Sequence, residues 1–276
     1  MGHTNYKNFV SQVTPSVLSR VGIDTHAHLS LHYFGDELND VLTRAYESAL
    51  CAILSICLNI EAYNDACMLY DAHDIEVYSA IAIHPCDVVR DIEGYKKQFS
   101  QLLKEDSRIK AIGETGLDYH WKDIPHEMQK ASLLEHITLA KDYAKPLALH
   151  TRDAEQDVYD ILCKENMAGR PVLWHCYSGN AELAQRIVDN GWYISFAGNI
   201  TYPNAQTIRE ALHRVPTTQL LIETDCPYLA PQPVRGNRNE PSYLMYTAEV
   251  IAHELCIDVD TVWKSTSDNA RRILDI

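Results

Sequence analysis

Eight short apolar runs, each followed by an amphipathic stretch, constrain this chain more than any other feature. The runs lie at 21–24, 51–58, 77–83, 109–113, 146–150, 171–175, 192–197 and 219–224. Each has the length of a buried strand, and most are apolar on both faces, as parallel strands covered by helices must be. Helical patterns fill the gaps at 37–50, 62–72, 94–104, 126–144, 154–163, 181–190 and 204–212. After the eighth run come a pattern at 243–253 and a last helix ending near Ile276. Eight strand-then-helix units predict an α/β fold: a closed (β/α)8 TIM-type barrel with one extra C-terminal helix. An open doubly wound sheet would use a glycine-rich first turn, and no G-x-G-x-x-G follows the first run. No Pro/Gly/Ser-rich linker divides the chain. Residues 21–276 therefore read as one domain, behind a polar extension at 1–20.

Charge narrows what such a barrel acts on. The 276 residues hold 24 Lys and Arg against 38 Asp and Glu, a net charge of −14. A protein that coats nucleic acid through bulk electrostatics is basic, so any nucleic-acid contact here is local and aided by cations. An anionic membrane surface is disfavoured by the same sign. No run approaches the roughly 18 apolar residues of a membrane span, and residues 1–20 contain no apolar signal core. The eight cysteines include no C-x-x-C, and Cys51, Cys57, Cys163 and Cys256 sit in apolar-periodic segments. Reduced thiols and a cytoplasmic setting are expected, with no obligate protein partner.

The polar residues at the run ends carry the chemistry. The first run continues Asp24-Thr25-His26-Ala27-His28, and residues two apart on a strand face one side. The fourth ends in Gly113-Glu114-Thr115-Gly116-Leu117-Asp118-Tyr119, the fifth at His150, the sixth at His175, and the eighth in Glu223-Thr224-Asp225. In a barrel these carboxyl ends form one mouth, where active sites lie. Four histidines, Glu114 and Asp225 are ligands suited to zinc, manganese or iron. Six are too many for one catalytic zinc with an open position and suit two metals bridged by a carboxylate. Each also has a structural reading. His-x-His alone is a weak signal, Asp225 before a proline can form a turn, and Glu114 between glycines can be a solvated loop carboxylate. Those readings do not explain why all six fall on one rim.

In these motifs the chain resembles the TatD family of metal-dependent deoxyribonucleases, among the amidohydrolase-like barrels. The segments that carry the resemblance are DTHAHLS at 24–30, GETGLDY at 113–119, LHTRDA at 149–154, WHCYSG at 174–179, ETDCPYL at 223–229, RNEP at 238–241 and TSDNARRIL at 266–274. The resemblance implies one metal held by His26, His28 and Asp225, and a second held by His150 and His175, with Glu114 bridging. It also implies phosphodiester hydrolysis, commonly as a 3′-to-5′ exonuclease on DNA. Two divalent ions per chain are expected, with zinc, magnesium and manganese all open. Asp225 is expected to take the proton of a water activated by the two ions, with Glu114 as the other catalytic carboxylate. The pattern departs from the family at Cys86, where G-x-H-P-H would place a second histidine, and at His136, where glutamine is frequent.

Substrate contacts are assigned to Arg152, His84, Tyr119, Arg235 and Arg238. Arg152 reads as a phosphate clamp or as an ion-pair partner of Asp153 or Asp118. His84 reads as a pocket residue or a hydrogen-bonded structural histidine. Tyr119, with His120 and Trp121, reads as a base-stacking surface or a lid core. Arg235 and Arg238 lie in a loop with Asn237 and Asn239, and Arg238 has a second reading as an ion pair with Glu240. Cys176 and Cys226 read as packing. The expected partner is DNA, through ends or single strands. Two rival enzyme types on the same barrel are weaker. An amidase would need a carboxylated lysine at the rim, where Glu114 stands, and Lys110 is at the other end. A deaminase would need a glutamate soon after His150, and none comes before Glu155. Hydrolysis of a small phosphodiester, or of an amide, stays open as an alternative. A non-enzymatic metal-barrel scaffold is disfavoured by the intact set of six ligands.

Overall fold

A computed structural model of the chain describes residues 13–71, 74–88 and 92–276. Its strands are β1 (Gly22–Ala27), β2 (Leu50–Cys57), β3 (Glu76–Ile81), β4 (Ile109–Asp118), β5 (Leu147–Arg152), β6 (Val172–Trp174), β7 (Tyr193–Phe196) and β8 (Leu220–Ile222). They pair in chain order, every pair parallel. The first and last strands meet at their carboxyl ends. His28 N–H donates to the Cys226 carbonyl, and Asp225 N–H to the His26 carbonyl, each at 2.9 Å. The Thr25 hydroxyl donates to the Ile222 carbonyl at 3.0 Å. The expected TIM-type barrel is formed.

Helices return the chain after each strand: α1 (Leu31–Phe34) and α2 (Leu38–Glu47), α3 (Ile60–Leu69), α4 (Ile92–Glu105), α5 (His126–Asp142), α6 (Glu155–Lys164), α7 (Ala181–Asp189), α8 (Gln206–Leu212) and α9 (Leu244–Leu255). Several start where the sequence offers a capping side chain. Asn59 accepts from Ala62 N–H, Asn180 from Leu183 N–H, and Asp258 from Asp260 N–H. The extra helix, α10 (Val259–Leu274), crosses the amino ends of the strands. Its Ala270, Ile273 and Leu274 join the inner barrel residues Ile23, Leu54 and Leu221 in one buried cluster. Asn269 donates to the Thr217 and Leu220 carbonyls at 2.7 and 2.8 Å, and Trp263 donates to the Ser19 carbonyl at 2.9 Å. Catalytic side chains therefore have only the opposite, carboxyl mouth available.

Two strands run past their apolar stretches. β1 continues through His26, and β4 extends five residues beyond Gly113, pairing Gly116 with His150. Gly116 permits this: its φ is +151°, and a Cβ there would lie 1.9 Å from the His150 carbonyl oxygen. Of the expected 1–20 extension, residues 1–12 lie outside the described residues. Residues Pro15–Val17 form a 3-10 turn, and Ser19 N–H donates to Asp260 Oδ1 of α10 at 2.7 Å.

Candidate metal centre

The expected ligands converge at the carboxyl mouth. His26 and His28 face one side at the end of β1, and their Nε2 atoms lie 3.3 and 3.8 Å from Glu114 Oε2. The same two nitrogens lie 3.7 and 3.5 Å from Asp225 Oδ1. A tetrahedral ion with ligands at about 2.0–2.2 Å spaces its donors by roughly 3.3–3.6 Å, so His26, His28 and Glu114 frame a cation-sized point, with Asp225 beside the two histidines. Asp225 reaches it from a left-handed backbone, φ +56°, just beyond β8. Behind it, Asp24 accepts from Thr224 N–H at 3.0 Å, from the Thr224 hydroxyl at 2.5 Å and from His26 N–H at 3.2 Å. This buried carboxyl, pushed up to about 7 by burial, ties the two ligand-bearing strands together.

A second group surrounds the other oxygen of Glu114. Oε1 lies 2.7 Å from His150 Nδ1, 3.0 Å from His175 Nε2 and 3.8 Å from His84 Nε2. The far nitrogens of two of these rings meet carboxylates. His175 Nδ1–H donates to Glu223 Oε1 at 2.9 Å, and His150 Nε2–H to Asp118 Oδ2 at 3.0 Å. Such back-side carboxylates orient metal-binding imidazoles and raise their basicity. Asp118 is itself braced: its N–H donates to Gln129 Oε1, and its Oδ1 accepts from His120 N–H at 2.9 Å.

The electrostatics are those of a cation site. Burial opposes charge on Glu114, but the neighbouring imidazoles of His175 and His26 and hydrogen bonds from His150 and His175 hold its pKa well below the usual carboxylate range. Burial likewise opposes charge on His175, and Glu114 and Glu223 outweigh it, holding its pKa well above the usual imidazole range. Burial opposes the Asp225 carboxylate too, and the hydrogen bond from His28 keeps its pKa below the ordinary value. His26 is the exception. Burial and the neighbouring His175 lower its pKa. Neither of its ring nitrogens makes a hydrogen bond, although the side chain is fully buried. A buried imidazole costs about 1–3 kcal/mol per unmet polar atom, and a metal at Nε2 removes that cost on one side. The donor set thus fits divalent cations. Among the described residues, donor groups within 4.8 Å of one another are His26/His28/Glu114, His84/Glu114/His150 and His26/His175/Glu223.

All six expected ligands are brought together; the five expected substrate contacts are not. A cavity of about 590 Å³ opens over Glu114, His175 and Asp225, and His84 and Arg152 line it. Arg152 pairs with neither Asp153 nor Asp118; its guanidinium lies 5.8 Å from the Trp121 ring, which also lines the cavity and is 53% exposed. Tyr119 is turned away. Its ring stacks on His126 at 3.7 Å and its hydroxyl donates to Asp157, so of these two neighbouring aromatics it is Trp121 that lines the mouth, as Tyr33 and Tyr228 also do. Arg235 covers the Tyr202 ring at 3.9 Å, outside the cavity lining. Arg238 is also outside it, paired with Glu37 and lying over Phe34. The alternative Arg238–Glu240 ion pair does not form. Glu240 is buried and takes the Arg44 guanidinium through both oxygens, because its side chain turns inward to α2 while Arg238 turns outward. The Cys86 thiol lines the cavity, pushed up to about 12 by burial, so it stays protonated.

Sequence reading missed Glu223, Asp24 and Asp118 as parts of the centre. A signal existed for each: Asp24 and Glu223 are carboxylates inside apolar runs, and all three lie two to four residues from an expected ligand. Fold and site together define a metal-dependent hydrolase, hence an enzyme. The chain belongs to the TatD-related DNase family, whose model matches residues 23–275. It is 36% identical to YabD, a metal-dependent hydrolase of Bacillus subtilis, over 92% of this chain and 98% of that one. It is 34% identical to TatD, a metal-dependent hydrolase of Mycobacterium tuberculosis, over 91% of this chain and 96% of that one. Among solved structures, YJJV, a TatD homologue from Escherichia coli K12, superposes with a TM-score of 0.86 at 26% identity, over 93% of this chain and 98% of that one.

Proposed function

We propose that the chain is a 3′-to-5′ exodeoxyribonuclease that hydrolyses terminal phosphodiesters of DNA with two divalent ions, which His26, His28, Asp225, His150, His175 and Glu114 would hold. The observation that carries this reading is the division of Glu114: one oxygen faces His26 and His28, the other His150 and His175. Bound divalent cations supply Lewis acidity at phosphoryl oxygens and lower the pKa of water. The protein's groups do the rest. Asp225 is ionised at neutral pH and lines the cavity, so it can take the proton of the attacking water. Arg152 offers a planar pair of donors to a phosphate. Trp121 offers an exposed ring to a base. The cavity volume lies within the range of small-molecule sites, which supports recognition of a chain end rather than of a duplex.

Membership of a family of TatD-related DNases supports the same reading. We place the enzyme in the cytoplasm. Its eight cysteines are free, and among the described residues no helix is long and apolar enough to cross a membrane. One observation favours a second reading, a small phosphodiester as substrate. Among the described residues, Arg152 is the only lysine or arginine lining the cavity. The test is digestion of short end-labelled single-stranded DNA after chelation and re-addition of magnesium, manganese or zinc. A stepwise ladder from the 3′ end, lost with chelator and in Glu114→Ala, is expected. Hydrolysis of a small phosphodiester or an amide with DNA left intact would move the function to that substrate.

A further inference from the structure

We propose that His84 is a neutral hydrogen-bond donor to an anionic oxygen of the substrate, rather than a ligand of the metal centre, and that His136 positions it. The proposal deepens the phosphodiester reading and rests on it for the identity of the anion. Distance alone would admit His84 as a ligand, since its Nε2 lies 3.8 Å from Glu114 Oε1 and its ring 4.5 Å from that of His150. Its hydrogen bonding does not. Cys86 N–H donates to His84 Nδ1 at 3.2 Å, which occupies that lone pair and leaves the ring proton on Nε2. A protonated nitrogen cannot bind a metal. The ligand rings have the opposite arrangement: His175 and His150 donate their far N–H groups to Glu223 and Asp118, which leaves the near nitrogen as the one that would give its lone pair to a metal. His84 accepts on its far side and so turns an N–H toward the cavity that it shares with Arg152, Glu114 and Asp225.

The segment that carries this ring is held by a second histidine. β3 ends at Ile81, so the N–H of buried Ile83 lies beyond the sheet ladder. That N–H donates to His136 Nε2 of α5 at 3.1 Å, and His136 Nδ1–H donates to the Ser132 carbonyl at 2.7 Å. The carbonyl fixes the His136 tautomer, which makes Nε2 an acceptor. Two backbone N–H groups flank His84, at Ile83 and Cys86, and both end on imidazole nitrogens. One sets the height of the segment and the other sets the ring. A side chain at 136 without an acceptor leaves the buried Ile83 N–H unmet and frees the turn. Glutamine keeps an acceptor there.

The test uses the full-length, zinc-loaded protein with inorganic phosphate as the probe. Bound zinc, phosphate affinity and the ring tautomer by 15N NMR are read together. We expect His84→Ala to keep the wild-type zinc content and to bind phosphate about ten- to a hundredfold more weakly, the loss of one charge-assisted hydrogen bond. His150→Ala should lose zinc. We expect His136→Leu to weaken phosphate binding in the same direction with zinc retained, and His136→Gln to restore it. If the leucine variant does not fold, His136→Asn, whose amide is too short to reach Ile83, replaces it. Loss of zinc in His84→Ala overturns the proposal, as does unchanged phosphate affinity or a proton found on His84 Nδ1. Unchanged affinity in His136→Leu or His136→Asn overturns the positioning role. A wild-type protein that does not bind phosphate overturns the donor assignment. Failure to cut DNA sinks the nuclease reading alone and leaves the phosphate results standing.

Discussion

Glu223 is the residue whose neighbourhood says most about how the centre is tuned. Its Oε1 accepts from His175 Nδ1–H and from Cys176 N–H at 2.9 and 2.7 Å, while Oε2, equally buried, has no hydrogen-bond partner. Such a carboxylate is tolerated in the interior only beside compensating positive charge, here cationic His175 or a metal behind it. Glu223→Gln keeps the shape and removes the charge. We expect it to weaken metal binding about 10- to 100-fold, read by competition with a chromophoric chelator. Wild-type metal affinity in that variant would show that His175 is oriented by something else. The converging donors were legible because they stand at or just past the ends of apolar runs, where a barrel has its mouth, and because His26 and His28 obey the two-residue alternation of a strand. Glu223 was not singled out, because it looks like one more acid beside Asp225 until the fold shows that it backs His175. Tyr119 failed as a stacking candidate for a related reason: sequence adjacency to Trp121 says nothing about which ring faces the mouth.

The helix α5 does more than cover β4. It delivers Gln129 to Asp118 and His136 to Ile83, so one helix braces the ends of both β3 and β4. His136 is fully buried, and burial pushes its pKa down to about 4. In the unfolded chain a histidine titrates near 6.5. Above pH 6.5 both states are neutral and His136 costs nothing. Between 6.5 and 4 the unfolded chain takes the proton first, so stability falls as pH falls, by about 3 kcal/mol in all. The expected outcome is a steeper loss of Tm between pH 6.5 and 4 in the wild type than in His136→Gln, followed by circular dichroism. Parallel slopes would mean that His136 is protonated in the native state. Strand identity was readable from apolar runs, but strand length was not. β4 passes through Gly113 and Gly116, residues that usually end a run, because the backbone of β5 comes too close for any side chain at 116.

At the scale of the molecule, the barrel is closed by polar stitches at one end and by α10 at the other. The mouth holds Asp24, His26, Glu114, His175 and Glu223, all buried. Packing so many ionisable groups together opposes folding, and divalent cations bound among them would help hold this end shut. We expect chelation to lower Tm. An ion at 1,000 times its Kd stabilises by about 4 kcal/mol, which for a domain of this size is some 10 °C. The gap between loaded and stripped protein should narrow as pH falls, because protons compete for the same imidazole nitrogens. A Tm indifferent to chelation would mean that the histidine–carboxylate pairs hold the mouth unaided.

The sequence alone determined the barrel and the ligand inventory, since both follow from local periodicity: runs of strand length, helices between them, and donors at the ends of the runs. The tertiary structure decided everything that depends on which side chain turns inward. It brought Glu223 to His175 and Asp118 to His150, sent Glu240 to Arg44 instead of Arg238, and left Trp121 rather than Tyr119 at the mouth. These pairings join residues up to about two hundred positions apart. Their geometry is set by how strands and helices pack around a common axis, and no local pattern encodes that packing.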